Sequence, residues 1–411
     1  VKPLSGIRVV ELGLWVAGPA AAGILADWGA EVVKLEMPAG DPMRRLFGAL
    51  SGSKEPLCPP FDLYNRGKRS IALDLNAPGG VELVLRLIAT ADVFVTNMRP
   101  QYLARVGLDP DTLCAAHPRL VYASLTAYGQ VGPDRDAPGY DMAAFSGRSG
   151  LAERATPPGG APPILPGGVG DNVSALSLVA GIAGALFHRE RTGRGQQVST
   201  SLLRSGVYGI GMDVATRVGL GRVAPPPPRT RPQNPLMNLY QAGDGRWFWL
   251  VGAESERHWP AVVAACGLPG LREDPRFATP RDRRRNSEAL VAALDAAFAA
   301  QGRDDWATVF ARHDVWWAPV QSLDELVADP QALASGAFVA VPGQAGASLP
   351  GGLNGVATPI DFSDTPVGPA GPPPAVGADT DALLECLGID AAARAGLREA
   401  GVLAAAPVPA A

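Results

Sequence analysis

The first 125 residues alternate between short β-branched runs and helix-like stretches, and this alternation limits the fold more than any other feature. "GIRVVEL" predicts a strand, "GPAAAGILADWG" a helix and "AEVVKLE" a second strand, which together make a βαβ unit. "SIALDL", the helix "GGVELVLRLIATA" and the strand "DVFVTN" repeat the pattern, followed by a helix from Tyr102 to Leu113 and the strand "LVYASLTAYG". Strands that alternate with helices predict an α/β fold with a parallel sheet covered on both faces. Ligands of such sheets sit outside the carboxyl ends of the strands.

Beyond residue 126 the chain is rich in Gly and Pro, and a helix is expected from Ser174 to Arg191. Gly193 supplies its stop, and "QQVSTSLL" reads as a strand entering another helix. "APPPPRTRPQNP" at 224–235 contains four successive prolines, which fit neither a helix interior nor a central strand. The expected organisation is therefore a large domain over 1–223, a linker over 224–235, a small α+β domain over 236–335, and a return to the large domain over 336–411. The small domain should open on a hairpin turning at Gly243-Asp244-Gly245, followed by helices in "SEALVAALDAAFAAQG" and "DDWATVFARHDV".

A formal charge of −4 argues against a general nucleic-acid binder, because phosphate backbones select basic faces. The apolar stretch near the start is interrupted by Gly18, Pro19 and Asp27, so no membrane span is expected there. No leader pattern is read, and the four cysteines are far apart with no CxxC pair, which fits reduced thiols in the cytoplasm. The four histidines are also scattered, and no metal site is expected.

One carboxylate stands out. Asp171 sits between the glycines of "GGVGD" and a long apolar helix. Aspartate is a favoured helix cap, and a carboxylate at that end is expected to stay ionised. The same group beside a Gly-rich turn can attack an activated acyl carbon, with N–H groups of Gly167, Gly168 or Gly170 facing the developing oxyanion. "ELGLWVAGPAAAG" places a helix N-terminus at a strand's carboxyl end, which suits either tight packing or a phosphate. Arg66, Lys68, Arg69, Arg99 and Arg105 put cations along the sheet edges, as a phosphorylated ligand requires.

Taken together, "PLSGIRVVEL…AGPAAAGILADWGAEVVKLE", "NRGKRSIALDL", "DVFVTNMRP…LARVGL", "GGVGDN", "ALFHRERTGRGQQVSTSLL" and "DGRWFWL" resemble the family III CoA-transferases, over residues 3 to about 395. The resemblance implies an interlocked homodimer with a nucleotide-binding-like large domain and a smaller domain, acting on acyl-CoA and small carboxylic acids, with CoA thioester as substrate and no permanently bound cofactor. It carries a catalytic aspartate onto Asp171 and CoA contacts onto Val16, Ala17, Lys68, Asn97, Met98, Arg105 and Tyr128, with Asp141 near the reacting centre. Where the family often has a basic residue after the second strand, this chain has Met37, and Arg44 or Arg45 is expected to supply the charge. A run of glycines found in one branch is replaced by "PPPPRTRPQNPLMN". The acyl-CoA racemase branch uses a His and an Asp to move an α-proton, and at the matching place this chain has Tyr140. A subunit that binds CoA esters without turnover is the remaining alternative. Arg148, Arg229 and Arg231 are candidate clamps for an acceptor carboxylate.

Overall fold

The computed structural model describes residues 1–46 and 58–404, so the end of the 336–411 segment lies outside the described residues. The chain divides into two units. The first comprises Val1–Glu153, Ile164–Arg222 and Leu333–Ala411, and the second Arg154–Pro163 and Val223–Ala332.

The first unit is built on six parallel strands: β1 (Arg8–Leu12), β2 (Glu31–Glu36), β3 (Arg69–Ala72), β4 (Val93–Thr96), β5 (Val121–Thr126) and β6 (Gln197–Ser201). Their order is β3-β2-β1-β4-β5-β6. Successive side chains point to opposite faces, so Val9 and Val32 enter one apolar layer while Val10 and Val33 enter the other. The first layer is filled by helix α1 (Ala17–Asp27) and a long helix, Val169–Thr192. α1 is made of small residues and approaches its neighbours closely. A Cβ on Gly23 would lie 2.7 Å from the Tyr64 carbonyl oxygen in the helix Pro59–Asn65. The second layer holds the helices Gly80–Ile88, Pro100–Arg105, Pro110–Ala116 and Thr380–Cys386.

Two expectations are corrected here. The single helix expected from Tyr102 to Leu113 is two, because Gly107 takes a left-handed φ of 67° and Asp109-Pro110 starts a fresh turn. The long helix begins at Val169 rather than Ser174, with Gly168 as its left-handed N-cap (φ 84°). Asp171 is thus a first-turn residue and not the cap. Among the described residues this is one helix long and apolar enough to cross a membrane. Here it packs on α1, β5 and β6 through Ala175, Leu178, Val179 and Ile182.

In the second unit, β-strands Met237–Gln241 and Trp247–Val251 form the hairpin read at Gly243-Asp244-Gly245, and Trp317–Pro319 adds a third strand. Helices Ser287–Phe298 and Arg303–His313 cover it over an aromatic core of Tyr240, Phe248, Phe298, Trp306 and Phe310.

Candidate active site

β1 is hydrogen-bonded to β2 on one side and β4 on the other, and the helices that follow β1 and β4 lie on opposite faces of the sheet. Loops that follow adjacent strands therefore diverge at the carboxyl ends of β1 and β4, which opens a crevice. A cleft of about 350 Å3 lies there, lined by Leu14 and Trp15 after β1, Asn97, Met98 and Arg99 after β4, Thr126 at the end of β5 and Tyr140 beyond it.

The loop after β1 is fixed from two sides. Asn97 accepts the Leu14 N–H at Oδ1 (2.9 Å) and donates from Nδ2 to the Leu14 carbonyl (2.8 Å). Asp41 Oδ1 accepts the Trp15 N–H at 3.2 Å. The Val16 carbonyl then accepts the Ala20 N–H at 2.7 Å and starts α1, in which Ala17 is buried. Val16, Ala17, Asn97 and Met98 are therefore gathered around one loop and its cleft. Tyr128 follows β5, packed under Gly139 and facing the Arg148 guanidinium at 5.2 Å. Arg105 stacks over Tyr102 at 5.2 Å, on the helix after β4.

Lys68 is placed differently from its expected role. Its ammonium is fully buried and donates to Glu11 Oε2 (2.6 Å), the Pro19 carbonyl (2.9 Å) and Asn65 Oδ1 (3.0 Å). An ammonium has three donors, so none is left for a phosphate. Lys34 completes the cluster, bonding Glu11 at 2.9 Å and Asp41 at 3.0 Å. Burial works against the Glu11 charge, but Lys34 and Lys68 outweigh it and hold the carboxyl below its usual range. Burial pushes the Lys68 ammonium down to about 8. Arg44 is also engaged, bidentate on Glu36 at 2.9 and 2.8 Å.

Asp171 lies in the first turn of the long helix, half-buried. Gly170 donates its N–H to Asp141 Oδ2 at 3.1 Å, which brings the second carboxylate to the same turn. The Gly170 N–H is thereby unavailable to an oxyanion. Burial, and then the charge of Asp141, push the Asp171 carboxyl from 3.8 up to about 7. The sequence-based expectation that this carboxylate stays ionised is corrected by these two causes, which outweigh the helix N-terminus. Tyr64 borders the same turn. Burial raises its phenol, the Asn172 side chain hydrogen-bonds it, and the charges of Asp171 and Asp141 raise it further.

Trp15, Tyr64 and Asp41 were not singled out by the sequence. Their signal was absent because each acts through a partner distant in the chain. Of the proposed clamps, Arg148 pairs with Asp134 at 3.0 Å. Within the second unit, Arg229 is bidentate on Asp295 and Arg231 pairs with Glu288. His188 is exposed on the long helix, 17 positions beyond Asp171, or about 25 Å at ~1.5 Å per residue.

Residues 4–380 match the sequence model of CoA-transferase family III. The chain is 31% identical over 388 residues to (R)-2-hydroxy-4-methylpentanoate CoA-transferase of Clostridioides difficile, covering 94% of this chain and 96% of that one. It is 34% identical over 382 residues to succinate–glutarate CoA-transferase of Agrobacterium fabrum, covering 91% and 93%. Its fold is similar to the crystal structure of a CAIB/BAIF family protein from Brucella suis, with a TM-score of 0.82, 30% identity, and coverage of 94% and 99%. On these grounds the chain belongs to CoA-transferase family III, a family of enzymes.

Proposed function

We propose that this enzyme moves CoA from an acyl-CoA thioester to a free carboxylic acid through covalent intermediates on Asp171. The observation that carries the reading is a half-buried carboxylate in the first turn of the long helix, beside Asp141, in a chain of this family.

The Asp171 carboxylate oxygen attacks the thioester carbonyl. The C–S bond breaks, CoA leaves as thiolate, and an acyl–aspartyl anhydride forms. The thiolate attacks the aspartyl carbonyl, releasing the donor acid as carboxylate and leaving an aspartyl-CoA thioester. The acceptor carboxylate repeats these steps in reverse and regenerates Asp171. The nucleophile must be ionised, so a carboxyl raised to about 7 sits near the pH at which it changes state. Half-burial limits water at an anhydride that water would destroy. Val16, Ala17, Asn97, Met98, Arg105 and Tyr128 contact CoA in this reading, and Asp141 orients the turn that carries Asp171. Lys68 supports the loop from beneath.

The protein acts as an interlocked homodimer. In support, Tyr208 and Val218 are strongly exposed and line a groove of about 740 Å3 in the first unit, whose helices also expose Phe187 and Met212. Apolar surface of that extent marks a contact face, and a second copy of the chain is its occupant. A racemase finds no support, because Tyr140 stands where that chemistry needs a histidine.

Incubation with a panel of acyl-CoA donors and isotopically labelled carboxylates tests the proposal. Label appearing in acyl-CoA supports transfer. Solvent deuterium entering the α-position would instead indicate racemisation, and binding without either would indicate a silent subunit.

A further inference from the structure

We propose that Trp15 is a substrate-binding residue, the aromatic wall against which the thioester arm of the CoA substrate is seated; this rests on the CoA-transfer reading above. Trp15 has a φ of +66°, in a region that bulky L-residues rarely adopt. Positive φ in such a residue persists only where its surroundings enforce it. Here they do. Asp41 Oδ1 accepts the N–H groups of both Trp15 (3.2 Å) and Met43 (2.9 Å). The other Asp41 oxygen is paired with the fully buried Lys34 at 3.0 Å. Asn97 holds Leu14 through its N–H and its carbonyl.

The consequence of this fixation is the direction of one side chain. The Trp15 ring meets Tyr140 edge-on, with centroids 6.3 Å apart and planes at 86°, and both residues line the 350 Å3 cleft. Returning φ to negative values would swing the indole away from Tyr140, so the buried Asp41–Lys34 pair acts to aim it. Tyr140 precedes Asp141, whose carboxylate binds the turn carrying Asp171. The wall is therefore joined through the chain to the carboxylate that holds the turn of Asp171. An uncharged, methylene- and sulfur-bearing arm suits an indole and phenol face, since such surfaces bind apolar chains with little loss of side-chain freedom.

The test is calorimetric titration of the intact protein with free coenzyme A. Trp15→Ala and Trp15→Asn should weaken binding about tenfold or more, as loss of an aromatic anchor does, and Trp15→Phe should stay within about threefold. The asparagine variant keeps a residue that tolerates the left-handed backbone, so it separates the ring from the conformation. Thermal melts confirm that each variant is folded. Folded Ala and Asn variants that bind coenzyme A like the wild type would overturn the inference and leave the function reading intact. A wild type that neither binds coenzyme A nor exchanges it with any donor would sink both.

Discussion

The backbone N–H of Gly170 donates to the Asp141 carboxylate at 3.1 Å, and this bond joins two segments 29 residues apart. There is no room for any side chain at the junction. A Cβ on Gly170 would lie 2.3 Å from Phe145 Cγ and 2.4 Å from Asp141 Oδ1.

Gly170→Ala should therefore displace the turn that carries Asp171. The expected costs are about 1–3 kcal/mol of stability from overpacking and roughly a hundredfold in CoA transfer from misplacement. Gly167→Ala is the control, because nothing lies within 4 Å of its Cβ position and its N–H is retained. Chemical denaturation and exchange assays on the two variants make the comparison.

Asp171→Asn should make the protein more stable at pH 8 than the wild type, and inactive. The carboxyl has an ordinary value of 3.8 and is raised to about 7 in the fold, by burial and by Asp141. Between those values the folded state holds the proton that the unfolded state has released, so wild-type stability falls as pH rises from about 4 to about 7. Asparagine has no charge to pay this penalty. The melting-temperature gap between variant and wild type should be small near pH 4.5 and largest by pH 8. A gap that does not widen contradicts the assigned environment.

Lys68→Met should act on stability. Removing one partner of a buried ion pair costs about 3 kcal/mol or more, and Lys68 also bonds Pro19 and Asn65. Arg99→Ala, at an exposed position, should change stability by about 0.5 kcal/mol or less. Urea unfolding of the two proteins separates these outcomes.

Interlocked rings cannot part without unfolding. Light scattering should report twice the 42.5 kDa chain mass across a hundredfold dilution. A mass that falls to one chain at low concentration contradicts the interlocked arrangement.

The strands of the first unit were legible because runs such as "RVVEL" and "EVVKLE" alternate with helical stretches, and burial on both faces of a parallel sheet demands that pattern. The true start of the long helix was not legible. Gly168 enters it through a left-handed conformation with no capping side chain, and glycines give no periodic signal. Lys68 could be read as a cation but not as a buried one, since its partner Glu11 lies 57 residues away. The same holds for Asp171. Its residue type and glycine context pointed to chemistry, while its raised carboxyl depends first on burial and then on Asp141, and only the fold supplies both. Trp15 gave no signal because its backbone conformation is imposed by Asp41, 26 residues on.

Covalent acylation of Asp171 is the step on which the proposed transfer turns. Wild-type protein mixed with a competent acyl-CoA and quenched with hydroxylamine should carry a hydroxamate, which peptide mass spectrometry should locate at Asp171. Asp171→Asn should bind coenzyme A, carry no adduct and exchange nothing. An adduct mapped to Asp141, or an Asn variant that still transfers CoA, would contradict the mechanism.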